Sequence, residues 1–154
     1  MAGRIELDEG YFSTETPKEE KNKPLKRGRG SERKSKVIVM AESEFVESVK
    51  KGQKPRRMGY LKMKVIDDLQ SETINERVKA LASNVTEIDT DDSTSYVDLK
   101  DFAHRHNAQV IPKEKVGEVL PWVHIAISNA KRQILNTFHD VKPEFLQKYL
   151  DEFC

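Results

Sequence analysis

The run Arg4-Ile5-Glu6-Leu7-Asp8-Glu9-Gly10-Tyr11-Phe12 decides how this chain is read. Ile5 and Leu7 alternate with Glu6 and Asp8, the period-two pattern of a strand with one buried face. A carboxylate in the middle of such a strand is unfavourable unless water, a cation or a metal neutralises it. Downstream lies a basic, glycine-punctuated segment, with nine Lys or Arg against three Glu from Lys18 to Lys36. Strand acid and neighbouring cations together point to metal-assisted chemistry on nucleic acid, centred on Asp8.

A length of 154 residues suits one domain with a single modest core. The formal net charge is only +1, so the total predicts no partner and the distribution has to be read instead. A second basic stretch, Ser48 to Ile66, carries seven Lys or Arg and no acid, while acids collect at Glu87 to Asp101 and Asp140 to Glu152. The single cysteine, Cys154, excludes an intramolecular disulfide and cannot build a zinc site alone. Neither a signal peptide nor an apolar run of membrane length is present, so the expectation is a soluble cytoplasmic protein without a membrane partner. Met1 stands just before the first strand, and the helical stripe of Leu146, Leu150 and Phe153 runs into Cys154, which predicts a domain shortened at both ends.

Further strands are expected at Val37-Ile38-Val39-Met40, a continuous apolar run of the kind buried in a sheet centre, and at Tyr60 to Ile66. Ser13 to Ser35 lacks any apolar period and reads as a basic, mobile loop within the domain. A helix is predicted over Glu72 to Ala82 behind the capping residue Ser71, then a short strand, Val85 to Thr90, that ends in Asp91-Asp92. Tyr96, Leu99, Phe102 and Ala103 mark a second helix, Ala108 to Ile111 a last strand, and two helices follow at Val116 to His139 and Pro143 to Cys154. Three strands, a helix, a strand, a helix, a strand and then helices is the element order of the ribonuclease H-like fold, an α/β mixed sheet flanked by helices.

On particular residues the chain resembles the catalytic domain of bacterial insertion-sequence transposases, the ISXO type of the DDE superfamily. The residues are Ile5 to Phe12, the turn Lys26-Arg27-Gly28-Arg29-Gly30-Ser31 before Lys36 to Val39, Thr90-Asp91 followed by Tyr96, Asn129-Ala130-Lys131-Arg132 followed by Phe138 to Val141, and Tyr149 to Cys154. The resemblance covers nearly the whole chain. It implies DNA strand cleavage and strand transfer at the ends of a mobile element, with Mg²⁺ or Mn²⁺ as cofactor. DNA is then the partner, and homo-oligomerisation on DNA is an accompanying expectation. Asp8 and Asp91 would be the first two metal ligands. Asp91 is preferred over Asp89 and Asp92 because it keeps the spacing to Tyr96, with Asp92 the competitor. The third position, usually glutamate, is His124 here, and imidazole favours softer ions than Mg²⁺. Lys131, two helical turns after His124 and on the same side of the helix, would contact phosphate beside the scissile bond.

Candidate DNA-backbone contacts are Lys26, Arg27, Arg29, Arg33, Lys34, Arg56, Arg57, Lys131 and Arg132. Tyr11, Phe12 and Tyr60 interleave with them, a pattern open to base stacking or to core packing. Each site residue also has a structural reading: Asp8 as a solvated strand acid, Asp91 with Asp92 as turn or cap acids, His124 as a hydrogen-bonded core histidine, and Lys131 with Arg132 as a solvated helix face. His104 and His106, placed two apart on a helix, point to opposite sides and do not chelate together. The zinc-binding recognition module typical of such transposases is not among these residues, so binding through phosphates with little sequence preference is expected. The alternative function is an inactive remnant that keeps non-specific nucleic-acid affinity.

Overall fold

Val37, Ile38, Val39, Met40 and Ala41 are all buried, which places their strand inside the sheet with a protein layer on both faces. In the computed structural model, which describes residues 1–16, 34–47, 49–81, 84–91, 99, 103–110, 112 and 115–154, this strand is β2 (Lys34–Phe45). It pairs antiparallel with β1 (Ala2–Ser13) on one side and with β3 (Arg56–Ile66) on the other. After helix α1 (Ser71–Leu81), β4 (Asn84–Asp91) pairs parallel with β1, and β5 (Arg105–Gln109) pairs parallel with β4. The sheet order β3-β2-β1-β4-β5, with helices α2 (Val116–Val119), α3 (Pro121–Thr137) and α4 (Pro143–Phe153), is the expected ribonuclease H-like α/β arrangement.

Strand alternation sorts the side chains into two cores. Ile5, Leu7, Ile38, Met40 and Ile88 face α1, where Ile74 and Val78 cover them. Phe12, Val37, Val39, Ala41 and Met63 face α3 and α4, against Val123, Ile127, Ala130, Leu146 and Leu150. Thr86 is an extra residue in the β1–β4 ladder, because Gly3 pairs with Val85 and Arg4 with Glu87. This bulge lets Val85 and Ile88 share one face despite their odd spacing, and Gly3 takes it up with a φ of 69° that side-chain-bearing residues rarely adopt.

Gly10 lies under α3: a Cβ there would stand 3.1 Å from the Phe12 ring and 3.5 Å from Ile127. Gly10→Val is therefore expected to overpack the junction and cost about 1–3 kcal/mol. Urea unfolding should show a lower midpoint at unchanged slope.

Several expectations are corrected. The last strand is Arg105–Gln109 rather than Ala108 to Ile111, so His106 lies on a strand and His104 just before it, not on a helix. The helix expected over Val116 to His139 is two, α2 and α3, broken at Leu120-Pro121 because proline has no N–H to continue a helix but suits a first turn. Most of the loop expected at Ser13 to Ser35, and all but Leu99 and Ala103 of the apolar positions expected in the helix around Tyr96, lie outside the described residues.

Candidate active site

Strand β1 and helix α3 run side by side in matched steps. Glu6 meets the start of the helix, Asp8 meets His124, Gly10 meets Ile127, and Phe12 lies under the Lys131 ammonium at 5.7 Å from its ring centroid. Each step is two residues along the strand and a fraction of a turn to a full turn along the helix, so one face of β1 reads out one stripe of α3.

Glu6 anchors that alignment. Its Oε2 accepts hydrogen bonds from the backbone N–H groups of Trp122 at 2.8 Å and Val123 at 3.2 Å, in the first turn of α3. Leu120 before the helix supplies no side-chain cap, so a strand acid 116 residues away satisfies these donors. Burial raises the Glu6 carboxyl to about 7, with the two N–H bonds opposing the rise.

Asp8 and Asp91 come from neighbouring parallel strands. Glu6 pairs with Asp89, and Asp8 and Asp91 each lie two residues further on, on strands about 4.8 Å apart. His124 joins them from above, its Nδ1 3.7 Å from Asp8 Oδ2, too far for a hydrogen bond. Burial lowers the His124 pKa below its ordinary 6.5 while Asp91 opposes the shift, so the imidazole is neutral at pH 7 and has a lone pair to offer. Lys131, also lowered by burial and by Lys34, is drawn the other way by Asp8. Asp8, Asp91, His124 and Lys131 thus lie near one another; Asp92 lies outside the described residues.

Among the described residues, no three His, Cys, Asp or Glu side chains are already gathered tightly enough to hold a metal ion. The donor chemistry nevertheless fits one. Two carboxylates and a neutral imidazole suit Mg²⁺ or Mn²⁺, and bonds of about 2.1 Å put donors on one octahedral ion about 3.0 to 4.2 Å apart, a range that contains the Asp8–His124 separation.

Asp89 is not part of this set. It is buried, paired with Arg4 at 2.5 Å and bonded by the Asn107 amide at 3.0 Å, so its charge is already neutralised. Asn107 also donates to Glu87 at 2.6 Å, and His106 shares a 2.9 Å hydrogen bond with Thr90, which ties the polar strand β5 to β4. The roles of Glu6 and Asn107 are not legible in the sequence, because what identifies them is a long-range partner and not a local pattern, and Asp89, passed over in favour of Asp91 on spacing alone, is set apart here by its partners.

The candidate DNA contacts divide. Lys34 begins β2 near Lys131, whereas Arg56 and Arg57 begin β3, opposite the far end of β2. Arg56 donates to the Ser43 hydroxyl at 2.7 Å and Arg57 to Glu44 at 2.9 Å, while Arg132 is exposed on α3. Lys26, Arg27, Arg29 and Arg33 lie outside the described residues. No helix among the described residues is long and apolar enough to cross a membrane.

A family model described as an ISXO2-like transposase domain matches residues 1–154. No curated protein matches the chain.

Proposed function

The chain belongs to the ISXO2-like transposase domain family, and from that premise we propose that it nicks DNA at the ends of a mobile element and joins the freed ends to a target. The observation that carries this reading is the meeting of Asp8, Asp91 and His124, from two neighbouring strands and one helix, beside Lys131.

Asp8, Asp91 and His124 would hold the divalent ions. When bound, these supply Lewis acidity, easing deprotonation of the attacking oxygen and neutralising charge on the phosphodiester. His124 enters the site without a proton to lose, which keeps metal binding open at neutral pH. The Lys131 ammonium is positioned to pair with a non-bridging oxygen of a nearby phosphate, and Lys34 extends the same positive surface. Attack by water breaks one P–O bond and leaves a 3′-hydroxyl, and attack by that hydroxyl on a second phosphodiester exchanges one P–O bond for another.

Plasmid nicking and strand-transfer assays test the reading, with the Asp8→Asn variant as control. Because His124 replaces a carboxylate, Mn²⁺ is expected to support activity at least as well as Mg²⁺. His124→Glu should shift the ratio of initial rates towards Mg²⁺. Clear superiority of Mg²⁺ in the parent protein would remove His124 from the ligand set. DNA binding without any Asp8-dependent nicking would identify an inactive remnant.

A further inference from the structure

Beside the acid site, at the N-terminal end of α3, lies a cavity of about 430 Å³ bounded by Arg4, Glu6, Lys54, Arg56, Pro121 and Trp122. Its volume is within the range of about 300–1,000 Å³ usual for small-ligand pockets. The lining has two chemical halves. Trp122, partly exposed, offers an indole face, and the Lys54 ammonium stands over that ring at 5.7 Å, the outer limit of such contacts. Arg56 is held in place by the hydroxyl and the backbone carbonyl of Ser43. Arg4 is neutralised by Asp89, so among the described lining residues Lys54 and Arg56 are the cations available to an anion, set against one further lining carboxylate, Glu118. Glu6 forms part of the floor with its acceptor turned to the helix N–H groups.

A flat π-face beside two cations matches a nucleotide, with the base on the indole and the phosphate on the cations. Glu6 and Asp8 are two residues apart on β1, about 6.6 Å, comparable to one nucleotide step along a strand. We infer that this cavity receives a single unpaired nucleotide of the DNA strand being cut, its base stacked on Trp122 and its phosphate held by Lys54 and Arg56. The inference rests on the DNA-cleaving reading above but adds a separate binding site. Lys54 swings from the indole to the phosphate as the base enters, since a cation–π contact of this length at an exposed site is weak.

Trp122 is the only tryptophan in the chain, so its emission reports on the cavity directly. The full chain is titrated with a single-stranded oligonucleotide and with the same oligonucleotide made abasic throughout. The intact strand is expected to quench Trp122 fluorescence saturably and the abasic strand to leave it nearly unchanged. Trp122→Ala should weaken binding of the intact strand about tenfold or more, measured by anisotropy, while leaving abasic-strand binding unaltered. Trp122→Phe, which keeps an aromatic face and the backbone N–H to Glu6, should restore most of the affinity. Lys54→Ala should weaken both strands and reduce the salt dependence of binding. Equal quenching by both strands, or no quenching at concentrations that saturate anisotropy, would overturn the inference. Either result is independent of whether Asp8-dependent nicking is found, so failure of the cavity and failure of the catalytic reading are told apart.

Discussion

Asp8→Asn is expected to abolish Mn²⁺-dependent nicking, lowering the rate at least about 10³-fold, which corresponds to about 4 kcal/mol of lost transition-state stabilisation. The amide keeps the size of the carboxyl and can still accept the 2.8 Å bond from the Glu9 N–H, so the strand should retain its conformation. What disappears is the negative charge facing His124 and Lys131, which the metal reading requires. Asp91→Asn should have an effect of similar size for the same reason. Asp89→Asn is the informative contrast. That carboxylate is already occupied by Arg4 and Asn107, so its loss should lower thermal stability while leaving the rate per folded molecule within about an order of magnitude. A nicking rate unchanged in Asp8→Asn would end the proposal, whatever the DNA affinity.

Asp8 of the candidate site is legible because a strand announces itself locally. Ile5 and Leu7 alternate with Glu6 and Asp8, and one glance at the period places Asp8 on the face opposite the α1 core. That Asp91 lies beside it follows only from the fold, since parallel pairing of β1 and β4 is a long-range fact carried by the resemblance. Strand β5 was misplaced for a physical reason. Arg105-His106-Asn107-Ala108-Gln109 has no apolar alternation, and its order comes from hydrogen bonds to Thr90, Glu87 and Asp89 on a neighbouring strand. The break at Pro121 could have been read from proline's missing donor, but the apolar spacing from Val116 onwards masked it. Glu6 shows the limit most clearly. Its sequence neighbours suggest a solvent-facing strand position, yet only 4% of it is exposed.

That burial makes Glu6 the source of the second large expected effect. Glu6→Ala removes the acceptor for two N–H groups at the start of α3 and leaves a void, at a cost of about 2–4 kcal/mol. Glu6→Gln should fold well, because both N–H groups bond the same carboxyl oxygen and an amide oxygen can take its place. The two variants also separate charge from shape. In the folded chain Glu6 keeps its proton up to about pH 7, against an ordinary value of 4.5. Between these limits the folded state holds the extra proton, so the Glu6 contribution to stability is fully present below about pH 4.5 and is lost as pH rises to 7. Parent and Glu6→Gln should therefore be close in stability at pH 5. At pH 8 the parent should lag by as much as about 3 kcal/mol, the difference in denaturant unfolding free energy reporting Glu6 alone because other groups titrate in both. Glu6→Ala should stay below Glu6→Gln at both pH values. Since Glu6 fixes the level at which α3 meets β1, and His124 is the next residue after Val123, the alanine variant should also nick DNA more slowly at temperatures where it remains folded. A parent and a glutamine variant whose difference is flat from pH 5 to 8 would show that the carboxyl is ionised throughout, held so by the N-terminal dipole of α3 in spite of its burial.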